Sequence, residues 1–350
     1  MPLLNALLSF KKSTLITIVM SICIAVLSAP SADAQATTQK GWKLLKVKGL
    51  DYVSVESLKN FYHFTKLTKS GKDLVLENSK VEMRLKVGGH ECLMNNVKFV
   101  FSNPVIASGR DVYVSRVDLA KLIDPVLRPN FIRNAGNFQT VILDAGHGGK
   151  DPGATNSLGT EADYNLGLAQ RVQRLLQSKG FKVIMLRESN RYLSLRERVE
   201  AANRVNENAI FVSLHFNSGN SRARGIETFT LSPPGVSHYG RGVVASDAQS
   251  RAGNENDSAN IALATAIHGS ILRRLGKNTF DRGIKRARFS VLSGVKHPAV
   301  LFEGGFMSHP YEARLIENES YQAALAAGMV DAVVRYRFAV SGGKPTSPQR

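Results

Sequence analysis

Three apolar stretches in this 350-residue chain end in side chains that can hold a metal or move a proton. Val141–Leu143 runs into Asp144-Ala145-Gly146-His147-Gly148-Gly149, Ile210–Leu214 into His215-Phe216-Asn217, and Ala299–Phe302 into Glu303-Gly304-Gly305. Continuous apolar runs of this kind read as strands covered on both faces. In open α/β sheets the binding crevice lies beyond the carboxyl ends of the strands, so two imidazoles and a carboxylate should converge there from distant parts of the chain. Two histidines and a carboxylate are a ligand set of catalytic zinc, which keeps its fourth tetrahedral position for water. The carboxylate has two candidates. Glu161 opens the helix that follows the glycine-rich segment 146–159, and Glu303 sits at a strand end; one suffices for the metal and the other is left to act as a base. Zinc brings the pKa of a bound water from roughly 15.7 to roughly 7 and polarises a carbonyl. A carboxylate that then shuttles the proton contributes about 10²–10⁴ in rate. Amide hydrolysis uses both services.

These residues need a scaffold of alternating strands and helices. Leu166–Leu176 repeats apolar residues at helical spacing, Lys182–Leu186 and Ala209–Leu214 read as strands, and Ser194 with Glu197 forms a capping box opening a helix through Asn206. The strand Glu227–Leu231, the helix Ala259–Leu275, the strand Ala299–Phe302 and a helix near Ser320–Arg337 follow. The expected fold class is α/β, a mixed, mostly parallel sheet with helices on both faces. Gly146, Gly148 and Gly149 between a strand and a helix have a second reading as a phosphate cradle. Their spacing is neither the dinucleotide pattern nor a P-loop, and the Lys-Ser/Thr pair of the latter is missing.

Four blocks carry a family resemblance. Val141-Ile142-Leu143-Asp144-Ala145-Gly146-His147-Gly148-Gly149-Lys150-Asp151-Pro152-Gly153-Ala154, Glu161-Ala162-Asp163-Tyr164-Asn165-Leu166, Ser213-Leu214-His215-Phe216-Asn217-Ser218 and Leu301-Phe302-Glu303-Gly304-Gly305-Phe306-Met307-Ser308 resemble the zinc-dependent N-acetylmuramoyl-L-alanine amidases of the cell-wall type. Arg282-Gly283-Ile284-Lys285, Phe289 with Val291-Leu292, and Pro298–Leu301 fall in the family's order, so the resemblance covers about residues 139–337. It implies His147, Glu161 and His215 as zinc ligands and Glu303 as the catalytic carboxylate. The implied substrate is peptidoglycan, cut at the amide between the lactyl group of N-acetylmuramic acid and the L-alanine of the stem peptide. Phe302 and Met307 replace the aliphatic residues usual at their positions, away from the ligands. A catalytically inactive wall-binding protein is the alternative, separable by metal content.

The remaining histidines of this half, His238, His268, His297 and His309, lack the strand-end placement; His238 and His309 are the two that could flank a groove. Arg282, Lys285, Arg286 and Arg288 form a basic run that reads as a solvated face or as a device steering stem-peptide carboxylates. Ser232–Ser258 is a long connection of low apolar content. In some relatives an inserted helix here covers the zinc until a protein activator withdraws it. This segment holds Glu255 and Asp257 but no clear amphipathic helix, so it is expected to line the groove rather than plug it.

The first 34 residues read as a leader. Lys11 and Lys12 precede the apolar run Leu15–Leu27, and Ala32-Asp33-Ala34 supplies small residues for cleavage after Ala34. No stable membrane span remains after that cleavage. The net charge of +18 loses only Lys11, Lys12 and Asp33 with the leader and becomes +17. Such an excess favours a polyanionic partner, and for an exported chain, periplasmic or wall-associated, that is wall polymer and not nucleic acid. Cys23 lies in the leader and Cys92 alone in the rest, so no disulfide framework exists.

Residues 35–130 read as a small α+β module. Strand-like pieces at Trp42–Val47, Leu74–Glu77, Val81–Lys86, Val97–Phe101 and Val112–Val114 alternate with turn signals, and helical pieces fall at Val55–Phe64 and Val117–Leu122. Val112–Leu119 resembles the small N-terminal domain of some copper amine oxidases, without a copper site. Trp42 reads as a core anchor. A linker is expected at 131–138, the catalytic domain at 139–338 and a disordered tail at 339–350.

Overall fold

A computed structural model describes residues 35–39, 41–132, 135 and 138–341. The expected leader, half of the expected linker (133–134 and 136–137) and tail residues 342–350 lie outside the described residues.

The N-terminal module is mostly strand: β1 (Gln35–Gln39), β2 (Trp42–Val47), β3 (Leu50–Ser54), β4 (Lys66–Ser70), β5 (Asp73–Glu77), β6 (Glu82–Lys86), β7 (Glu91–Met94), β8 (Val97–Val100), β9 (Ile106–Ser108) and β10 (Asp111–Ser115). Helix α1 (Val55–Phe61) starts where Ser54 caps the Ser57 N–H. Ser115 caps a second helical run, α2 (Arg116–Asp118), which widens into a π turn at Leu119–Ile123 before α3 (Asp124–Leu127). Trp42 packs on Phe61, ring centroids 4.9 Å apart, at the margin of the core. Cys92 is fully buried, and burial pushes its thiol well above its ordinary pKa.

The second half contributes β11 (Thr140–Ala145), β12 (Thr155–Asn156), β13 (Gly159–Thr160), α4 (Glu161–Ser178), β14 (Lys182–Met185), α5 (Leu195–Asn203), β15 (Ala209–Asn217), β16 (Ile226–Leu231), α6 (Asp257–Leu275), β17 (Asp281–Ala287), α7 (Ser290–Gly294), β18 (Ala299–Phe306), α8 (Pro310–Glu317) and α9 (Glu319–Val340). The expected capping box is present, with Ser194 and Glu197 satisfying each other's backbone N–H groups. Helix α9 runs two residues past the expected end of the domain.

One sheet of 11 strands, in the order β14-β11-β15-β18-β16-β17-β8-β7-β6-β5-β4, joins the two halves. β14, β11, β15 and β18 are parallel, β16 opposes β18, and β17 and β8 run parallel to β16. β8 docks on β17 through the pair Ile284↔Phe99, so strands of the N-terminal module extend the catalytic sheet. β1, β2, β3, β10 and β9 form a separate five-stranded sheet. Helices cover both faces: Leu168, Val172, Ile267, Ile271, Leu325 and Met329 of α4, α6 and α9 join the larger core, and Val291 and Leu292 of α7 the smaller one. Every residue of β11 is buried, as its unbroken apolar run requires. Each such Val, Ile or Leu contributes about 1.5–3 kcal/mol of apolar burial. Among the described residues, no helix is long and apolar enough to cross a membrane.

The basic run 282–288 is not the solvated face that one reading of the sequence allowed. Most of it is strand β17, in which Lys285 is 3% and Arg286 4% exposed. The Lys285 ammonium bonds Glu227 Oε1 at 2.6 Å, and Arg282 reaches the same oxygen. The Lys285 charge is tolerated inside this strand because the Glu227 carboxylate is buried with it.

Candidate metal centre

His147 and His215 come together as the strand-end argument expects, and Glu161 joins them from the start of α4. One ligand atom from each lies within 4.8 Å of the others. β11 delivers His147, β15 delivers His215, and the first turn of α4 delivers Glu161, with Thr160 capping that helix at Asp163 N. Glu161 Oε1 is 2.8 Å from His215 Nδ1 and 3.2 Å from His147 Nε2. Its other oxygen accepts the Ala154 N–H at 3.0 Å. Burial acts to raise the Glu161 pKa, but the two imidazoles outweigh it and hold the carboxyl well below its ordinary range.

The far nitrogen of His147, Nδ1, lies 2.8 Å from Asp151 Oδ2. A proton held there leaves the Nε2 lone pair facing a carboxylate oxygen, an arrangement that favours a cation between them. Two imidazole nitrogens, one carboxylate oxygen and an orienting carboxylate behind the first histidine make a donor set that fits a divalent ion such as zinc.

The glycines have a steric explanation rather than a phosphate-binding one. A Cβ at Gly146 would stand 2.2 Å from the His215 ring, and one at Gly153, whose φ is +66°, would stand 2.6 Å from Glu161 Oε2. These glycines leave room for the His215 and Glu161 side chains themselves. His147 has a φ of 61°, a left-handed conformation that costs of order 1–3 kcal/mol in a non-glycine residue.

Two buried arginines hold that strained loop. Arg187, fully buried, donates from Nε to Ala145 O (2.8 Å) and from Nη2 to Gly146 O (2.8 Å) and Ala162 O (2.7 Å). Arg198 pairs with buried Asp144 and donates to Ala145 O (2.8 Å) and His147 O (2.7 Å). Sequence reasoning missed both, because an arginine beside Glu188 and another inside Arg196-Glu197-Arg198 look like ordinary surface charges.

Glu303 faces the same cleft of about 430 Å³, which is walled by Leu193, Leu195, Phe289 and Val291. Its Oε2 is shielded from solvent and has no hydrogen-bond partner among the described residues. Burial, reinforced by the charges of Glu161 and Glu227, raises its pKa well above the ordinary carboxylate value. Glu227 stands directly across from Glu303 in the β16–β18 pair, with its own charge neutralised by Lys285 and Arg282. It too went unseen in the sequence.

The other histidines stay out of this cleft. His238 Nδ1 accepts the Arg288 N–H at 3.0 Å, His309 caps α8 at Glu312 N, His268 is buried between Thr228 and Asp281, and His297 approaches Ala202 O. No residue of Ser232–Ser258 lines the cleft, so this segment neither plugs it nor forms its wall. Glu255 lines a different cavity beside Asp124 and Arg128, and Asp257 pairs with Lys121 at 3.2 Å.

A mixed α/β sheet whose strand ends gather a His-Glu-His set beside a separate protonatable glutamate has the makings of a hydrolase. Residues 141–335 match the N-acetylmuramoyl-L-alanine amidase family, and the chain belongs to it. It is 33% identical over 198 residues to the uncharacterised protein YqiI of Bacillus subtilis, covering 57% of this chain and 84% of that one. It is 30% identical over 207 residues to the N-acetylmuramoyl-L-alanine amidase LytC of the same organism, covering 59% of this chain but 37% of LytC. Among solved structures, an N-acetylmuramoyl-L-alanine amidase from Clostridium difficile 630 is 31% identical, with a TM-score of 0.47, over 57% of this chain and 97% of that one. The chain is a cell-wall hydrolase of the amidase class.

Proposed function

We propose that this chain is an exported, zinc-dependent amidase cutting peptidoglycan between the lactyl group of N-acetylmuramic acid and the L-alanine of the stem peptide. His147, Glu161 and His215 hold the zinc, Glu303 is the catalytic carboxylate, and residues 139–338 are the catalytic domain. The observation that carries this reading is the approach of two imidazoles to one carboxylate oxygen, with Asp151 behind His147. Zinc bound there supplies an acidified water and a polarised amide carbonyl. The chain's residues do the rest. Glu303 takes the proton from the attacking water and delivers it to the departing L-alanine amine. The apolar walls of the cleft exclude competing water, while Asp151 and the two buried arginines fix His147 in its left-handed turn. Because residues 232–258 leave the cleft open, basal turnover is expected without a protein activator.

Incubating the chain with purified sacculi, with and without a chelator, tests bond and metal together. Mass analysis should show glycan strands freed of peptide and stem peptides with a new amino-terminal alanine, in the untreated sample only. Products cut at a glycosidic bond, or cleavage that survives complete metal removal, would sink the proposal.

Two substitutions sharpen the ligand assignment. Asp151→Asn should weaken zinc affinity about 10–100-fold, read by competition with a chromophoric chelator, with far-UV dichroism unchanged. Gly146→Ala should deplete zinc and activity together, because the new methyl occupies the space of the His215 ring. Full zinc occupancy in that variant would contradict the assigned geometry.

A further inference from the structure

A second cleft lies at the opposite edge of the same sheet. Because β16, β17 and β8 run against β18, their carboxyl ends point away from the metal centre. Beyond those ends is a cavity of about 290 Å³, bordered by Phe101 and Ser102 after β8, by Arg286 on β17, and by Ser237, His238 and Arg241 of the 232–258 segment. The rule that places ligands beyond parallel strand ends applies to this edge as it does to the first. Its lining holds two arginines and two histidines, the second being His90, and among the described residues no acid.

Arg286 is the unusual member. It is 4% exposed, donates from Nη1 to Thr230 Oγ1 and Leu231 O and from Nη2 to Lys121 O, and its Nε has no partner among the described residues. All of these acceptors are neutral. Asp118 is taken up by Ser115 Oγ and by the N–H groups of Ser102 and Asn103, and Asp257 by Lys121 and Asn254. A buried guanidinium without a paired anion is costly, and a bidentate carboxylate is the partner its planar fork fits best.

We propose that this cleft binds a carboxylate, with Arg286 as its counter-ion and the free C-terminal carboxylate of a neighbouring stem peptide as its occupant. The choice of occupant rests on the peptidoglycan reading; the anion site does not. Arg241 is already paired with Asp247 and shapes the rim. His238, which accepts the backbone N–H of Arg288, ties this cleft to the metal cleft that Arg288 lines.

The thermal midpoint of the zinc-loaded full chain tests this, titrated at constant ionic strength with a stem tripeptide, the same peptide as its C-terminal amide, and inorganic phosphate. Ligand that binds only the folded state raises the midpoint saturably, following RT ln(1 + [L]/Kd). The free acid should do so, with at least tenfold weaker apparent affinity in Arg286→Met and in Ser237→Glu, which puts a carboxylate of its own at the cleft and guards against a failed fold. An equal response to the amide, a response to phosphate alone, or undiminished binding in both variants would overturn the proposal. Binding is read without turnover, so a chain that leaves sacculi intact yet shows this response has lost only the amidase reading.

Discussion

Replacing Glu303 by Gln is expected to lower turnover on sacculi by about 10²–10⁴, the usual contribution of a positioned proton carrier, while zinc content stays at that of the unmodified chain. Gln keeps the size of the side chain and therefore the shape of the cleft, but it cannot accept the proton of the attacking water. Metal content is expected to stay unchanged because the proposed donors are His147, Glu161 and His215, which this substitution leaves in place. Stability supplies the control. Burial and two neighbouring carboxylates raise the Glu303 pKa in the folded chain, so its charged form is disfavoured there. For an acid raised in this way, the folded state loses stability as pH rises from the unfolded pKa, about 4.3, toward the folded one. At neutral pH the metal-free Glu303→Gln protein should consequently melt at or above the temperature of the metal-free unmodified chain. Low activity with a raised midpoint is the signature of a catalytic group; near-normal turnover would remove Glu303 from the mechanism.

The sequence disclosed the site because its chemistry follows apolar runs. His147 follows the buried strand β11, His215 lies near the end of β15 and Glu303 within β18 behind its apolar run, and buried strands announce themselves by composition. Local signals also disclosed the start of α5, where Ser194 and Glu197 complete a capping box, and the span of α6. What stayed hidden depends on partners far away in the chain. β17 carries Arg282, Lys285 and Arg286, a pattern that reads as surface until Glu227 is seen opposite. Nothing near Phe99 or Ile284 says that these residues pair and so continue one sheet across the two halves. The glycines of the first block were ambiguous for a related reason. Only with the His215 ring and Glu161 in place does it become clear that the missing Cβ atoms make space for these side chains.

Arg198→Met should be the most damaging single change for the folded state, at about 3–5 kcal/mol, because it strands the buried carboxylate of Asp144. Asp144 is 1% exposed and would keep only the Ser213 hydroxyl at 2.9 Å. For a catalytic domain of this size that loss corresponds to a fall in melting midpoint of roughly 6–20 °C. An exposed pair offers the contrast: Lys182–Glu207, at 2.5 Å but largely solvated, should contribute about 0–1 kcal/mol. Met retains much of the aliphatic volume of Arg198, so the deficit reports the charge and the hydrogen bonds rather than a cavity. Asp144→Asn in the Arg198→Met background should recover part of it by removing the stranded charge, and the double-mutant cycle measures how much. The same arginine donates to His147 O, so freeing that carbonyl lets His147 relax from its strained φ and weakens zinc binding as well. A midpoint within 2 °C of the unmodified chain would show that the buried pair does not hold the loop, and the left-handed turn at His147 would then need another support.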